Sequence, residues 1–214
     1  MRVAILGAGN VGGALGKGWA RSGHTIAYGV PNPADPKHRP VAQAARGASV
    51  GSVAEAVRGA DVIVLAVPYG AADAALAACG DLNGRVVIDA TNPLKMGPNG
   101  LELSIGLSSS GGEHIASLAN GAAVFKAMNQ IGFEGMTEAR AFPVPPAMFV
   151  AGDDDARKPV VMQLVSELGF DAVDAGGIAQ SRLLEPLAML WIHMAINRKI
   201  GRDKAFAYVA RKAG

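Results

Sequence analysis

The chain has 214 residues, of which half are hydrophobic and 18% are charged, and its formal net charge is +2. This composition supports a substantial buried core and excludes a disordered protein, and the small net charge without a long basic run argues against a nucleic-acid partner. The single cysteine, Cys79, excludes an internal disulfide framework and a cysteine-based metal cluster.

The first residues lead directly into a strand-like run, which is unlike a signal peptide. The longest uncharged apolar run near the C-terminus, residues 186–196, is too short to span a bilayer. We therefore expect a cytoplasmic protein that has no membrane partner.

The first half of the chain alternates short apolar, β-branched runs with helical patterns. Ser52 opens one of the helices, because Glu55 three residues later completes a capping box. The other predicted helices cover 10–22, 41–46 and 71–78, and the predicted strands cover 2–6, 25–28, 62–67 and 85–89. Alternation of this kind is typical of βαβ units and predicts a parallel sheet.

The second half begins with residues 92–109, which are rich in glycine, proline and serine and predict a long loop. Ser110 and Glu113 predict a second capping box at the start of the next helix. Predicted helices then cover 111–119, 154–168 and a long segment from about residue 180, predicted strands cover 122–126, 147–151 and 170–174, and 133–146 is predicted to be irregular. The last helix is apolar over a wide arc, which indicates burial against two surfaces.

A glycine-rich turn lies between the first predicted strand and the first predicted helix. Its sequence, Gly7-Ala8-Gly9-Asn10-Val11-Gly12, is a G-x-G-x-x-G pattern. Gly7 allows the tight turn, Gly9 lets a pyrophosphate approach the backbone, and Gly12 lets the helix pack closely on the strand. The helix start at Asn10 and Val11 offers free amides to the phosphates. The pattern predicts a dinucleotide site, and the alternative is a purely structural turn.

These elements predict an α/β fold, a Rossmann-type doubly wound, mostly parallel sheet with a small C-terminal α/β extension. We place the dinucleotide-binding domain at residues 1–140 and the extension, which completes an acceptor pocket, at 141–214. The alternative is that the C-terminal strands extend the same sheet.

The residues after the second predicted strand indicate which dinucleotide binds. NAD sites usually have an acid there, and residues 28–32 contain none. Asn32, Lys37 and Arg39, with His38, are candidates to surround a 2′-phosphate. This favours NADP over NAD, and the alternative is a solvated loop with scattered charge.

The remaining candidates follow the other strands, because ligands of open α/β sheets bind at the carboxyl ends of the strands. Val67 and Pro68 predict a turn beside the nicotinamide, and Asn92 is a candidate to bond the ring amide or a ribose. Lys126 and Asn129 form a K-x-x-N pattern and are weak catalytic candidates for polarising a carbonyl or moving a proton. The alternative for Lys126 is a solvent-facing lysine. No metal site is predicted.

Taken in order, these segments resemble the coenzyme F420-dependent NADP oxidoreductase family, whose founding activity is NADPH:deazaflavin reductase. The resemblance is carried by the turn at 7–12 and by residues 60–68, 87–94, 126–129, 132–134, 151–154, 174–176 and 181–185. It implies hydride transfer between NADPH and a second flat ring, with the deazaflavin coenzyme F420 as a co-substrate, and it implies a homodimer. The chain departs from the family at Val30-Pro31-Asn32, where members usually carry an arginine for the 2′-phosphate.

We therefore predict an NAD(P)H-dependent oxidoreductase that passes a hydride to a small-molecule, deazaflavin- or flavin-like acceptor by aligning two rings. The acceptor is expected between Pro68, the loop 92–109 and the start of the C-terminal helix. One alternative is a non-enzymatic dinucleotide-binding redox sensor. Another is a reductase of a small imine or carbonyl that uses Lys126 as its acid.

Overall fold

The computed structural model describes residues 1–98 and 100–211, and strands and helices alternate along them. The strands are β1 (Arg2–Leu6), β2 (Thr25–Gly29), β3 (Ser49–Gly51), β4 (Val62–Leu65), β5 (Val86–Asp89), β6 (Leu94–Gly97), β7 (Gly100–Leu103), β8 (Ala123–Lys126), β9 (Ala147–Gly152) and β10 (Asp171–Asp174). The helices are α1 (Asn10–Arg21), α2 (Arg39–Ala44), α3 (Val53–Val57), α4 (Ala72–Ala77), α5 (Gly111–Leu118), α6 (Phe133–Thr137), α7 (Lys158–Glu167) and α8 (Ser181–Ile192).

Eight of the strands form one sheet in the order β10-β9-β8-β5-β4-β1-β2-β3. Neighbouring strands in it are parallel except β8 and β9, which are antiparallel and share two residue pairs. The predicted α/β, Rossmann-type, mostly parallel sheet is confirmed. The C-terminal strands β9 and β10 extend the same sheet, which is the alternative that the sequence left open.

Helices cover both faces of this sheet, and the side chains of its inner strands alternate between two apolar layers. Val3 and Ile5 of β1 belong to one layer, together with Trp19 of α1. Ala4 and Leu6 belong to the other layer, with side chains of α3, α4 and α5. Because both faces are buried, the strands are continuous apolar runs in the sequence.

Helix α1 comes very close to β2 at Gly16. A Cβ atom on Gly16 would lie 2.0 Å from the hydroxyl oxygen of Tyr28. Tyr28 is fully buried, and its hydroxyl has no hydrogen-bond partner within residues 1–98 and 100–211. Burial raises the pKa of this phenol to about 12.

Both predicted helix starts are present, and one is a complete capping box. The Ser52 hydroxyl accepts from the Glu55 amide, and the Glu55 carboxylate accepts from the Ser52 amide. The Ser110 hydroxyl likewise accepts from the Glu113 amide, but the Glu113 carboxylate accepts from that hydroxyl instead of the backbone. The second box is therefore half formed.

The sequence prediction missed the strand β3 and was wrong in three further segments. Residues 92–109 are not one long loop, because β6 and β7 pair as an antiparallel hairpin within them. The region predicted to be irregular contains α6, and the helix predicted from residue 154 begins at Lys158. Within the described ranges, no helix combines the length and the apolar composition needed to cross a membrane.

Candidate functional site

The glycine turn lies at the carboxyl end of β1, and its three glycines have different surroundings. Gly7 has a φ of +103°, and a Cβ on it would lie 2.6 Å from the Ala66 carbonyl oxygen. A Cβ on Gly12 would lie 2.1 Å from the Gly7 carbonyl oxygen. Both positions therefore require glycine. A Cβ on Gly9, by contrast, would meet no atom within 4 Å, so this residue faces open space.

The start of α1 opens onto the same space. Gly9 is the N-cap of the helix, and no side chain caps its first turn. The first amides of a helix have no partner within the helix, and they therefore attract an anion. Asn10 and Val11 carry these amides, as the sequence predicted for a pyrophosphate site.

A cavity of about 440 Å³ lies between the end of β2, the start of α3, the end of β4 and helix α4. Its volume is within the range of ligand pockets. The sequence analysis did not predict this cavity, although the alanines of α4 were a usable signal, because small side chains leave room beside a strand end. The lining is mostly apolar and consists of Leu6, Gly29, Val30, Pro31, Ser52, Val53, Ala54, Val67, Ala71, Ala74, Ala75 and Ala78.

The candidates for a 2′-phosphate lie beyond β2. Asn32, Lys37 and Arg39 are all exposed, whereas His38 is buried. The Lys37 ammonium lies 2.8 Å from an Asp35 carboxylate oxygen. Hydrogen bonds from the side chain and the backbone amide of Lys37 lower the pKa of that carboxyl. Part of the charge of Lys37 is therefore neutralised, and Arg39 at the start of α2 is the more available cation.

The candidates for the nicotinamide end meet at the edge formed by β1, β4, β5 and β8. Val67 follows β4 and adjoins the glycine turn, because a Cβ on Gly7 would lie 3.1 Å from its Cγ1 atom. Asn92 donates from Nδ2 to the Asn129 carbonyl oxygen at 2.9 Å, and Asn129 donates back from Nδ2 to Asn92 Oδ1 at 3.0 Å. Asn92 and Asn129 therefore bond each other just beyond the ends of the neighbouring strands β5 and β8, and Asn92 directly precedes Pro93.

Lys126 does not face solvent, which corrects one of the two predicted alternatives. Its side chain is fully buried at the end of β8, and Nζ lies 2.7 Å from Asp89 Oδ2 and 2.9 Å from Glu185 Oε1. Nζ also donates to the Thr91 carbonyl oxygen at 2.9 Å. A buried charge requires such partners; the two carboxylates form ion pairs with the ammonium, and the Thr91 carbonyl oxygen accepts a hydrogen bond from it.

Glu185 is the main site residue that the sequence analysis did not single out. Its carboxylate accepts from the Gly111 and Gly112 amides at 2.9 Å each, and it thereby attaches α8 to the start of α5. A usable signal was present, because Glu185 is the only carboxylate in the apolar sequence of α8. An acid within such a helix is buried only when it is paired.

The structure also bears on metal ions and on Asp89. Within the part of the chain that the structure describes, no three His, Cys, Asp or Glu side chains are arranged to hold a metal ion. Asp89 Oδ1 accepts from the amide of Thr91 at 2.9 Å and from its hydroxyl at 2.7 Å. Asp89 therefore bonds the backbone at the strand end.

Comparison with known proteins agrees with this geometry. Residues 2–93 match the family model described as NADP oxidoreductase coenzyme F420-dependent. The chain resembles that family, as its sequence predicted. The matched residues run from the start of β1 to Pro93, which lies beyond the end of β5, so they include the glycine turn, Pro68 and Asn92.

A curated relative is the F420-dependent NADP reductase of Methanothermobacter thermautotrophicus, which is 29% identical over 146 residues. The match covers 65% of this chain and 62% of the relative, so the chain spans less than two thirds of that protein. A crystal structure from Arthrobacter sp. FB24, assigned as an F420-dependent NADP reductase, is 27% identical with a TM-score of 0.88, covering 99% of this chain and all of that one.

A more distant similarity concerns the fold alone. The reductive aminase of Aspergillus terreus, solved with NADPH and ethyl-5-oxohexanoate, has a TM-score of 0.68 at 17% identity. The match covers 93% of this chain and 63% of the aminase. The aminase and this chain therefore share the arrangement of sheet and helices over the matched part.

Proposed function

We propose that the chain is an NADP-dependent oxidoreductase that transfers a hydride between NADPH and a deazaflavin- or flavin-like acceptor. The observation that carries this proposal is the open glycine turn at Gly9, which adjoins an apolar cavity of about 440 Å³ at the same edge of the sheet. The family match over residues 2–93 and the two reductases described above support it.

In this proposal the edge of the sheet holds the dinucleotide along its length. The amides of Asn10 and Val11 bind the pyrophosphate, the apolar cavity takes the adenine, and Val67 and Pro68 adjoin the nicotinamide. Bound NADPH supplies the hydride, and the protein supplies alignment and exclusion of water.

We also propose a preference for NADPH over NADH. The residues that follow β2 contain no acid before Asp35, and Asp35 is paired with Lys37. Arg39 is then the main candidate to bind the 2′-phosphate, with Lys37 and Asn32 beside it. These residues take the place of the arginine that the family usually has directly after β2.

The acceptor is proposed to bind between Pro68, the β6–β7 hairpin and the start of α8. The hairpin is held at its base, where the Ser104 amide donates to the Pro93 carbonyl oxygen at 2.7 Å. In this proposal, one side of the acceptor site is therefore a β-hairpin and not the long loop that the sequence predicted. The commitment of Lys126 to three buried partners weighs against the alternative in which it protonates an imine or carbonyl.

The decisive measurement is rapid-mixing loss of NADPH absorbance with oxidised F420, free flavins, and a panel of small carbonyls and imines. We expect turnover with F420, and a kcat/KM for NADPH at least about tenfold above that for NADH, which corresponds to about 1.4 kcal/mol. Turnover of carbonyls or imines alone would overturn the deazaflavin assignment. Tight NADPH binding without turnover of any acceptor would favour the redox sensor.

A further inference from the structure

Lys126, Asp89 and Glu185 form a buried ionic cluster below the proposed nicotinamide end of the site. The exposed fractions of their side chains are 0%, 0% and 2%. The three residues come from β8, β5 and α8, so the cluster joins two strands to a helix that is distant in sequence. Burial of three ionisable groups costs free energy, so packing alone does not explain why they are placed here.

The cluster carries one more negative than positive charge. The Asp89 carboxylate accepts from the amide and hydroxyl of Thr91, the Glu185 carboxylate accepts from the amides of Gly111 and Gly112, and both form an ion pair with the Lys126 ammonium. An ionised carboxylate accepts from donors of this kind. The amides at the start of α5 stabilise Glu185 without contributing a full positive charge.

The cluster lies directly behind the residues proposed to meet the nicotinamide. Lys126 holds the Thr91 carbonyl oxygen, and the next residue is Asn92. Asn129, which pairs with Asn92, also donates to the carbonyl oxygen of Leu184, the residue before Glu185. The three charges and the amide pair are therefore fixed to the same short stretches of backbone.

The negative charges of the cluster also act on Tyr69, which lies at the same edge of the sheet. Tyr69 follows Pro68, and its ring packs beside Gly111, where an added Cβ would lie 2.9 Å from the Tyr69 Cε2 atom. Burial first, and then the negative charges of Glu185, Asp73 and Asp89, raise the pKa of Tyr69 to about 12. Two of these three carboxylates belong to the cluster.

We propose that this cluster makes the site bind the oxidised dinucleotide more tightly, relative to the reduced one, than it would without the cluster. Asp89 and Glu185 are positioning residues whose negative charge also favours hydride donation by NADPH. The inference rests on the proposed function. Hydride transfer to the acceptor takes two electrons and one hydrogen from the nicotinamide and leaves that ring with a positive charge. A net negative charge fixed nearby in a poorly solvated region stabilises the cationic ring relative to the neutral one.

The test is the ratio of two dissociation constants, Kd for NADP⁺ divided by Kd for NADPH, measured by calorimetry. Glu185→Gln removes one negative charge from the cluster and should raise this ratio by about threefold or more. Asp89→Asn should shift it in the same direction. A purely structural role would weaken binding of both forms together and leave the ratio unchanged. Glu167→Gln, a similar change at a carboxylate paired with His24, is the control and should not alter it.

The wild-type protein provides a test that does not depend on the folding of a variant. It should bind NADP⁺ at least as tightly as NADPH, and a preference of about tenfold for NADPH would overturn the inference. An unchanged ratio in both folded variants would also overturn it. Failure of the wild-type protein to bind either form would instead refute the proposed function.

Discussion

At the scale of single residues, the three glycines of the turn differ in why glycine is needed. Folding requires glycine at two of the positions, and ligand binding would require it at the third. Gly7 and Gly12 have backbone atoms where a side chain would be, whereas Gly9 has open space. The backbone of Gly9 has a φ of −83°, which any residue adopts. Glycine at this position is therefore unexplained by folding alone, and close approach of a phosphate explains it.

This contrast predicts different outcomes for two similar substitutions. Gly9→Val should fold with nearly normal stability and lose NADPH binding by at least about a hundredfold, which is about 2.7 kcal/mol. Gly12→Val should instead unfold the protein, because the valine would overlap the Gly7 carbonyl oxygen. Thermal denaturation and calorimetry separate the two effects. Normal NADPH affinity of folded Gly9→Val would remove the turn from the proposed site.

At the scale of elements, the outer strand β10 is attached to α7 by a charged contact. Asp174 Oδ1 accepts from the Gly176 amide at 2.8 Å and from Lys158 Nζ at 2.9 Å. These two hydrogen bonds, the backbone one first, lower the pKa of the Asp174 carboxyl. The ionised carboxylate therefore stabilises the end of the sheet.

The sign of this effect gives a pH prediction. A lowered folded-state pKa contributes stability above the unfolded pKa of about 3.9, and that contribution is lost as the pH falls through the lower folded-state value. Asp174→Asn should therefore lower the free energy of unfolding at pH 7, and the difference from wild type should shrink below about pH 4. Because the side chain is 53% exposed, we expect no more than about 1 kcal/mol.

The control for this prediction is Asp171→Asn, at the exposed start of the same strand. Urea unfolding at a series of pH values measures both variants. A difference between Asp174→Asn and wild type that stays constant from pH 7 to below pH 3 would contradict the electrostatic account.

The sequence predicted the longer elements because their hydrophobic patterns extend over enough residues to be recognised. The strands β1, β4 and β5 are apolar runs, and the capping residue Ser52 marks a helix start. The strand β3 has three residues, and the β6–β7 hairpin lies in a segment rich in glycine and proline, so neither has a clear periodicity. Their pairing depends on neighbours that are distant in sequence.

The candidate site was predictable to a similar degree. The turn residues Gly7, Gly9 and Gly12 follow from a local pattern, and so do Pro68 and Asn92 at the ends of strands. The burial of Lys126 was not predictable, because its partners Asp89 and Glu185 lie 37 and 59 positions away in the sequence. Only the folded sheet brings α8 over the end of β8.

At the scale of the whole molecule, α8 has an apolar surface that residues 1–98 and 100–211 leave exposed. A π-helical turn, His193–Asn197, continues α8. Leu183 and Leu190 of α8 and Met194 of this turn are 66%, 49% and 42% exposed, and their spacing places them on one side. An exposed apolar stripe of this kind is typical of an interaction surface. We therefore propose that the homodimer implied by the family resemblance forms through α8.

A charge in the middle of this stripe should disrupt the homodimer. Leu190→Glu is expected to shift the protein from dimer to monomer, which sedimentation equilibrium measures directly, because an ionised carboxylate is costly to bury in an apolar contact. Leu118→Glu, at a 43% exposed leucine on α5, should leave the dimer intact. A wild-type protein that is monomeric at micromolar concentrations would refute the proposed dimer.

The contact between Gly16 and Tyr28 restricts how this sequence can vary in evolution. A methyl group at position 16 would lie 2.0 Å from Tyr28 Oη and 2.7 Å from its Cζ atom, so even a phenylalanine at position 28 would still collide with it. Any homologue that gains a side chain at position 16 must therefore lose the aromatic ring at position 28, and the two positions should covary.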